Sequence, residues 1–224
     1  MIGGMSAQEA QPPSRLPRGP HRLGRDVVRA SQRSRLLEAM TAEVADRGYA
    51  ATSVQHVLRA AGVSRSTFYE LFLDKSACFL AALDLGITRI AHDIEAAVAA
   101  ETQHSARGPA GFRALCRGLA EDPAFARISL IRAPEAGDVA HAHQQVIRDG
   151  AVVMIRDMVR TGQRGTATPC EVSEAAVRAL VGGIETLLAH HVETRGAESL
   201  VDLAETLGAV MSALLQAEVP DVGA

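Results

Sequence analysis

The segment from residue 53 to residue 72, SVQHVLRAAGVSRSTFYELF, restricts the fold of this chain more than any other stretch. The apolar residues of its first half follow the i, i+3, i+4, i+7 spacing of one helical face: Val54, Val57, Leu58 and Ala61. Gly62 comes next, where a helix can end in the left-handed conformation, and Ser64 can cap a second helix. The apolar face of that second helix is short: Phe68, Leu71 and Phe72. Such a helix is not stable alone in water, so neighbouring helices must hold it and leave its polar face outward. The pattern predicts a helix-turn-helix.

A longer motif with fixed spacing surrounds this segment: Thr52-Ser53-Val54, then Ala60-Ala61-Gly62-Val63-Ser64-Arg65-Ser66-Thr67-Phe68-Tyr69, then Phe72-Leu73-Asp74-Lys75. The motif resembles the N-terminal domain of the TetR family of transcriptional regulators over about residues 31–91. The resemblance implies an all-α fold, with an N-terminal three-helix helix-turn-helix DNA-binding domain and a C-terminal helical domain for ligand binding and dimerisation. The chain departs from the family at Glu70 and Leu71, where many members have a basic or polar residue followed by His.

The resemblance also implies which side chains bind DNA: Thr52, Ser53, Ser64, Arg65, Ser66, Thr67, Tyr69 and Lys75. Arg65 and Ser66 are expected at base edges, with Thr67 and Tyr69 on bases or phosphate. The remaining residues are expected to position the sugar-phosphate backbone, which sets orientation rather than sequence preference. The hydroxyl of Thr52 or Ser53 is also expected to cap the first helix of the pair.

Lys75 is the only lysine of the chain, and it stands at the predicted start of a long fourth helix. Free N–H groups and the positive end of the helix dipole favour an anion at such a position. In TetR-like proteins the matching lysine holds a DNA phosphate, and the same contact is expected here.

The net charge of −3 hides an asymmetry that suits a DNA-binding N-terminal part. Residues 1–75 have eleven Lys or Arg and seven Asp or Glu, whereas residues 76–224 have twelve and nineteen. The basic excess therefore lies with the helix-turn-helix, as the neutralisation of phosphates requires.

Residues 1–30, rich in Pro and Arg and without periodicity, are predicted to form a disordered basic arm. Its arginines either follow a minor groove or the phosphates, or contact nothing specific: Arg15, Arg18, Arg22, Arg25 and Arg29.

Helical periodicity continues along the rest of the chain, and no strand pattern competes with it. Helices are predicted over residues 31–47, 75–101, 110–121, 124–132, 134–162, 170–194 and 197–218, with a polar loop at 162–169. Residues 31–91 are assigned to the DNA-binding domain and residues 92–224 to the ligand-binding and dimerisation domain.

No catalytic or metal-binding pattern is present, so no enzymatic activity, cofactor or metal is expected. His141 and His143 form an HxH, but residues two apart on a helix diverge by about 200° and cannot share one metal ion. Zinc spacings, HExxH, nucleophile elbows and glycine-rich phosphate loops are lacking. The three cysteines lie far apart, and neither a signal peptide nor a membrane-spanning stretch is indicated, so a reducing cytoplasm is expected.

The last two helices are expected to associate as a homodimer, because family members form a four-helix bundle there and Gly182-Gly183 permits close backbone approach. The same apolar stripes could instead only complete the core of the monomer.

The helices over about residues 75–162 are expected to enclose an effector, with these candidate contacts: Phe112, Phe125, Arg132, His141, Met154 and Met158. Core packing explains each of these residues as well. Aromatic residues make up only 3% of the chain, which favours a flexible aliphatic or acyl-type effector over a planar cation.

Together these observations predict a TetR-like homodimeric regulator, a repressor that binds a palindromic operator and responds to a small molecule. The alternative is a TetR-like helical ligand sensor or adaptor without specific DNA binding. Glu70 and Leu71 keep that alternative open, since a carboxylate repels a phosphate and a leucine cannot donate a hydrogen bond to one.

Overall fold

A computed structural model describes residues 24–162 and 173–216 of the chain. Most of the predicted basic arm, nearly all of the predicted polar loop and the C-terminal residues after 216 lie outside the described residues. The N-terminal half contains four helices: α1 (Arg25–Arg47), α2 (Val54–Ala61), α3 (Arg65–Leu71) and α4 (Lys75–Ala100). The C-terminal half contains five: α5 (His104–Glu121), α6 (Pro123–Arg127), α7 (Asp138–Gly162), α8 (Glu174–Arg195) and α9 (Ala204–Gln216). The described residues contain no strand, and the predicted all-α fold is confirmed.

Side-chain caps mark the starts of α2, α3 and α4, whereas α1 begins without one, and the caps at α2 and α3 are those that the sequence predicts. Ser53 accepts from the His56 N–H, Ser64 from the Thr67 N–H and Asp74 from the Ala77 N–H. Gly62 ends α2 with a φ of +62° and a ψ of +40°, a left-handed conformation that costs glycine nothing. The turn between α2 and α3 is therefore set by local chemistry at both of its ends.

Helix α1 begins at Arg25, six residues before its predicted start, so residues 25–30 belong to a helix and not to a disordered arm. The helix begins earlier because its first turns contact residues that are distant in the sequence. Arg29 donates to the Glu70 carbonyl at 3.1 Å, and the Arg33 guanidinium lies 5.6 Å from the centre of the Phe72 ring. These contacts give the first turns of α1 a partner that its own apolar stripe does not provide.

The C-terminal helices depart further from the prediction. Helix α5 begins at His104 rather than at residue 110, with Pro109 inside it, because this turn packs against α9. The predicted helix over residues 124–132 is divided into α6 and a π-helical turn (Ile128–Arg132), followed by a 3₁₀ turn (Ala133–Ala136). The Ser129 hydroxyl donates to the Phe125 carbonyl at 2.8 Å and competes there with the regular backbone ladder.

The predicted last helix is also divided, into a 3₁₀ segment (Ala197–Leu203) and α9. The Ser199 hydroxyl donates to backbone carbonyls of the preceding turn and contacts the His191 ring nitrogen at 2.9 Å. These side-chain bonds again offer the backbone an alternative to the α-helical pattern.

The main apolar core runs from α1 to α9, and α4 belongs to it along much of its length, while a small second cluster joins α7 to α8. The predicted α1 stripe is fully buried: Leu36, Leu37, Met40 and Val44. Helix α4 passes position 91 without a break, so the two predicted domains share a continuous helix. None of the described helices combines the length and the hydropathy that crossing a membrane requires.

Candidate nucleic-acid interface

The start of α3 is organised around one hydroxyl group. Ser64 Oγ accepts from the Thr67 N–H at 3.1 Å and lies 2.9 Å from both the Ser66 and the Thr67 hydroxyl oxygens. This cluster satisfies an N–H group that a helix start leaves without an intrahelical partner. Three of the nominated hydroxyls are thereby brought together on the solvent side of one short helix.

The outward face of α3 is polar and open to solvent. Arg65, Ser66, Tyr69 and Glu70 are exposed, whereas Phe68 is 0% exposed. The Tyr69 ring packs edge-on against Phe68 at 5.3 Å while about half of its surface remains accessible. The Arg65 guanidinium makes no hydrogen bond or ion pair with the described part of the chain. A charged, unpaired donor therefore stands beside an anchored aromatic side chain.

Three arginines of α1 contact the C-terminal ends of α2 and α3, a role that the sequence analysis did not predict for them. Arg29 bonds the C-terminal end of α3, and Arg35 donates to the Ala61 carbonyl at the end of α2 at 3.0 Å. Arg33 stacks on Phe72. Cations at helix C-termini satisfy free carbonyls and match the helix dipole. Part of the N-terminal basic excess is therefore structural, and Arg29 is not part of a free arm. Arg29 and Arg33, at i and i+4, share one face of α1, which is the only part of this arrangement that helical spacing could have indicated.

Thr52 does not occupy the surface position expected of it. It is 2% exposed, and its hydroxyl donates to the carbonyls of Glu43 and Gly48 at 3.1 and 2.8 Å. Ser53, one position later, provides the cap. Of the two predicted alternatives, Ser53 and not Thr52 therefore caps α2, because the residue before the cap faces the α1 end, and a phosphate contact by Thr52 stays a prediction.

His56 is a further residue that the sequence did not nominate. Its Nδ1 accepts from the Ser53 N–H at 3.3 Å while Ser53 Oγ accepts from the His56 N–H, which completes a capping box with His in place of the usual Glu or Gln. This arrangement uses Nδ1 as an acceptor and leaves the proton on Nε2, which is the nitrogen free to donate elsewhere.

Lys75 starts α4 as predicted, but its ammonium is already engaged. It donates to the carbonyls of Tyr49 and Thr52 at 2.8 and 2.9 Å and lies 3.9 Å from the centre of the Tyr49 ring. Partial burial lowers the Lys75 pKa. An ammonium group has three N–H donors, so one remains for an anion. A phosphate contact by Lys75 stays a prediction, and the residue also holds the turn before α2.

The six effector candidates do not line a common site in the described residues. Phe112 and Phe125 are buried in the main core, with Met158 packed against it. Arg132 pairs with Glu135, His141 is exposed beside Gln145, and Met154 is 40% exposed on α7. The spacing of apolar residues could not separate core packing from a pocket, and these assignments remain predictions.

Two open grooves, of about 540 and 210 Å³, lie instead along α8, next to α7 and the π-helical turn. Both are lined by Arg148 and Gly182, and Arg148 binds Glu185 through two hydrogen bonds of 2.6 and 2.9 Å. An internally paired cation beside a carboxylate offers little to an anionic ligand. In the described ranges no three His, Cys, Asp or Glu side chains come together as metal ligands would.

The two cysteines within the described residues are buried and carry no disulfide. Burial raises the pKa of the Cys78 thiol to about 12 and that of the Cys116 thiol to about 11. Both thiols are therefore neutral and shielded, as expected of core residues rather than of nucleophiles.

Comparisons with known proteins agree with the geometry. Residues 36–82 match the family model described as "Bacterial regulatory proteins, tetR family". The chain is 27% identical over 184 residues to the HTH-type transcriptional repressor AcnR of Corynebacterium glutamicum. The aligned residues cover 78% of this chain and 91% of that protein. The AcnR of Corynebacterium efficiens is also 27% identical, over 185 residues, or 79% and 92% of the two chains.

Among solved structures, the fatty acid degradation regulator FadR of Bacillus halodurans superimposes with a TM-score of 0.72 at 16% identity, covering 80% of this chain and 97% of that one. FadR of Bacillus subtilis, solved in complex with stearoyl-CoA, superimposes with a TM-score of 0.71 at 16% identity, and the superposition covers 83% of this chain and 98% of that one. At this identity the likeness concerns the fold alone. The capped helix-turn-helix, the family match over residues 36–82 and the relatives matched over almost their whole length make this chain similar to the TetR family of bacterial transcriptional regulators.

Proposed function

We propose that this protein is a ligand-responsive repressor that binds a two-fold-symmetric operator as a homodimer. The observation that carries the proposal is the outward face of α3, where Arg65 is exposed and unpaired on a helix whose opposite face is locked by Phe68. A rigid helix with a polar, partly cationic face is what reading the major groove requires. Nothing in the proposal requires catalysis.

The contacts follow from the position of each side chain. Arg65 and Ser66 read base edges, where an arginine can donate two hydrogen bonds to a guanine. Thr67 and Tyr69 reach bases or phosphate, and Ser53 and Ser64 lie at helix starts that favour a phosphate oxygen. Lys75 contributes the third donor of its ammonium group.

A single α3 reads too few base pairs to select one site in a genome. A two-fold dimer places two such helices in successive major grooves, about 34–36 Å apart. Helices α8 and α9 supply the dimer surface in this proposal. Small or apolar side chains are exposed along them: Ala179, Gly183 and Leu187 on α8, with Ala209, Val210 and Ala213 on α9. Two copies of such a surface can approach closely.

The effector is proposed to be an aliphatic or acyl-type molecule. The FadR of Bacillus subtilis, which shares this fold, was solved with stearoyl-CoA, and the interior beside α4 is lined by aliphatic and phenyl side chains. Binding must favour a conformation that reads DNA poorly, and the shift cannot exceed the difference in affinity for the two states. Helix α4 extends from Lys75 through the C-terminal core and is the element that can carry such a change.

The test is enrichment of random duplexes on the purified full-length protein at two salt concentrations, with its mass in solution measured in parallel. The expected result is a near-palindromic site bound by a dimer, with affinity that falls steeply as salt rises. A protein that enriches no sequence, or whose DNA binding hardly depends on salt, would be a ligand sensor or adaptor instead. A monomer that binds a single half-site would refute the dimer alone.

A further inference from the structure

A carboxylate from the C-terminal part of the chain binds the turn that leads into the helix-turn-helix. Glu135 lies in the 3₁₀ turn between α6 and α7, and its Oε2 accepts from the Tyr49 N–H at 2.8 Å, across 86 positions of sequence. Its Oε1 accepts from the Arg132 guanidinium, also at 2.8 Å. Arg132 thus fixes the carboxylate that reaches the turn between α1 and α2. We call Arg132, Glu135 and the Tyr49 N–H the Glu135 latch.

The backbone at this turn is shaped to receive the carboxylate. Gly48 has a φ of +83°, which side chains other than glycine rarely adopt. A Cβ placed on Gly48 would also lie 3.0 Å from Glu135 Oε2. Glycine is therefore required twice at this position, once for the conformation and once for the approach of Glu135.

The same turn is held from the opposite side by α4. The Lys75 ammonium donates to the Tyr49 carbonyl, while the N–H of the same Tyr49 donates to Glu135. Lys75 also donates to the carbonyl of Thr52, the residue immediately before the α2 cap. The Tyr49 ring packs on Phe79 of α4 at 4.9 Å. The position at which α2 begins is thus set by one group from α4 and one from the C-terminal part.

The segment that carries the latch is connected to the interior of the C-terminal half. Arg132 ends the π-helical turn, a rare and strained geometry often found at functional sites. Gln144 of α7 donates to the Ser129 carbonyl within that turn, and Ile128 of the turn is fully buried. A shift of α6 or α7 is therefore transmitted to Glu135.

We propose that the Glu135 latch is the contact through which the C-terminal domain controls the orientation of α2 and α3. It holds the helices in the DNA-reading position, and repacking of α6 and α7 around an effector releases it. Glu135 is a positioning residue that touches no DNA. The part of this inference that concerns DNA rests on the proposed function.

The first experiment needs no DNA. Amide hydrogen exchange is measured on the full chain for Glu135→Ala, Glu135→Gln and Arg132→Ala, beside Arg113→Ala as the matched control. Arg113 is a partly exposed arginine that pairs with Glu205 at 3.4 Å and with Glu101 at 3.8 Å, so its ion pairs do not involve α6, α7 or the turn. The expected result is several-fold faster exchange within α2 and α3 for Glu135→Ala, a smaller change for Glu135→Gln, which keeps an acceptor, and none for Arg113→Ala. Exchange in α2 and α3 that stays at the wild-type rate in a folded Glu135→Ala protein would overturn the latch.

The second experiment uses the duplex selected by the wild-type protein. Glu135→Ala is expected to weaken binding by about fivefold or more, the lower range of measured couplings between sites. The base preference and the salt dependence should stay unchanged, because no contact to DNA is removed. Loss of a negative charge alone would instead tighten binding to DNA, so an equal or higher affinity contradicts the proposal.

Coupling is reciprocal, so duplex binding should slow exchange in residues 128–136 of the wild-type protein and not of Glu135→Ala. A wild-type protein without that slowing would refute the coupling. If no duplex is selected at all, the proposed function fails, while the exchange of α2 and α3 in the free protein still decides the latch.

Discussion

The helices before Lys75 and those after it are specified in different ways. In the N-terminal part, Ser53 and Ser64 cap α2 and α3 through their side chains, and an aromatic cluster built on Phe68 fills the interior. In the C-terminal part, Asp74 and Asp122 cap α4 and α6, but α5 and α8 begin without a side-chain cap, and π-helical and 3₁₀ segments interrupt the α-helical pattern. In the proposed function, α1–α3 are the part that reads DNA, here called the reading head, and α4–α9 are the part that binds the effector, here called the sensor. Such a division suits a protein in which a ligand must move one part without unfolding the other.

The largest effect is expected from the aromatic core of the reading head. Phe68→Ala removes a side chain that is 0% exposed, and the surrounding residues relax only partially into the cavity that is left. The expected loss is about 3–5 kcal/mol of unfolding free energy. Urea unfolding followed by circular dichroism measures it. A loss below about 1 kcal/mol would mean that the residues around Phe68 rearrange as readily as those of the sensor, which would contradict the difference drawn between the two regions.

A smaller loss of stability, caused by overpacking rather than by a cavity, is expected in the sensor. A Cβ at Gly86 of α4 would overlap the Phe125 ring, so Gly86→Ala must displace that ring or the helix α6 that carries it. Overpacking of this kind costs about 1–3 kcal/mol, less the helix propensity that alanine gains. Gly150→Ala on α7 is the matched control, because no atom lies within 4 Å of the added Cβ there. A Gly86→Ala protein as stable as Gly150→Ala would show that Phe125 moves freely, and would support the view of α6 as an element that can repack.

The helix caps provide a direct comparison between the two regions. Ser64→Ala removes a hydroxyl that accepts from the Thr67 N–H, with an expected loss of about 1 kcal/mol. Ser173 precedes α8 in the same way but makes no cap hydrogen bond, so Ser173→Ala is expected to stay within about 0.5 kcal/mol of wild type. Equal losses at the two positions, measured by chemical denaturation, would remove the contrast between the regions.

The smallest effect concerns pH at the Glu135 latch. The hydrogen bond from Arg132 lowers the Glu135 pKa, helped by the Tyr49 N–H and opposed by desolvation. A carboxyl whose pKa is lower in the folded state stabilises the protein above its ordinary value of 4.5 and loses that contribution as the pH falls through the folded value. The nearby Lys75 stays cationic throughout this range. The stability difference between wild type and Glu135→Gln should be constant from neutral pH to about pH 5 and shrink below the ordinary value. A difference that changes between pH 7 and pH 5, in thermal unfolding at several pH values, would assign the titration to another group.

Most of the reading head could be predicted from the sequence because its signals are local. The Ser64 cap, the left-handed Gly62 and the Phe68 face each lie within one or two turns of the residues they govern. The burial of Thr52 was not predictable in this way, since Thr52 and Ser53 carry equivalent hydroxyls and only the end of α1 selects between them.

The remaining departures arise from contacts between distant residues. The start of α1 depends on Glu70, some forty positions away, and the 3₁₀ turn depends on the approach of Glu135 to Tyr49. The division of the last helix follows from His191 and Ser199, where a side-chain contact outweighs an unbroken apolar period. Apolar spacing records that a residue is buried, but not whether it faces a core or a pocket, so the effector candidates could not be resolved from it.

The central claim is that the exposed face of α3 reads base sequence, and Arg65 tests it most directly. Base preference is measured on the selected duplex and all its single-base variants for wild type, Arg65→Ala and Arg59→Ala. Arg59 is an exposed arginine of α2 and gives the same loss of charge. Arg65→Ala should lose about 1–3 kcal/mol of discrimination at one base pair in each half-site. Arg59→Ala should keep the full preference and at most bind all variants more weakly. A preference that Arg65→Ala leaves unchanged at every position would contradict the assignment of α3 as the reading helix.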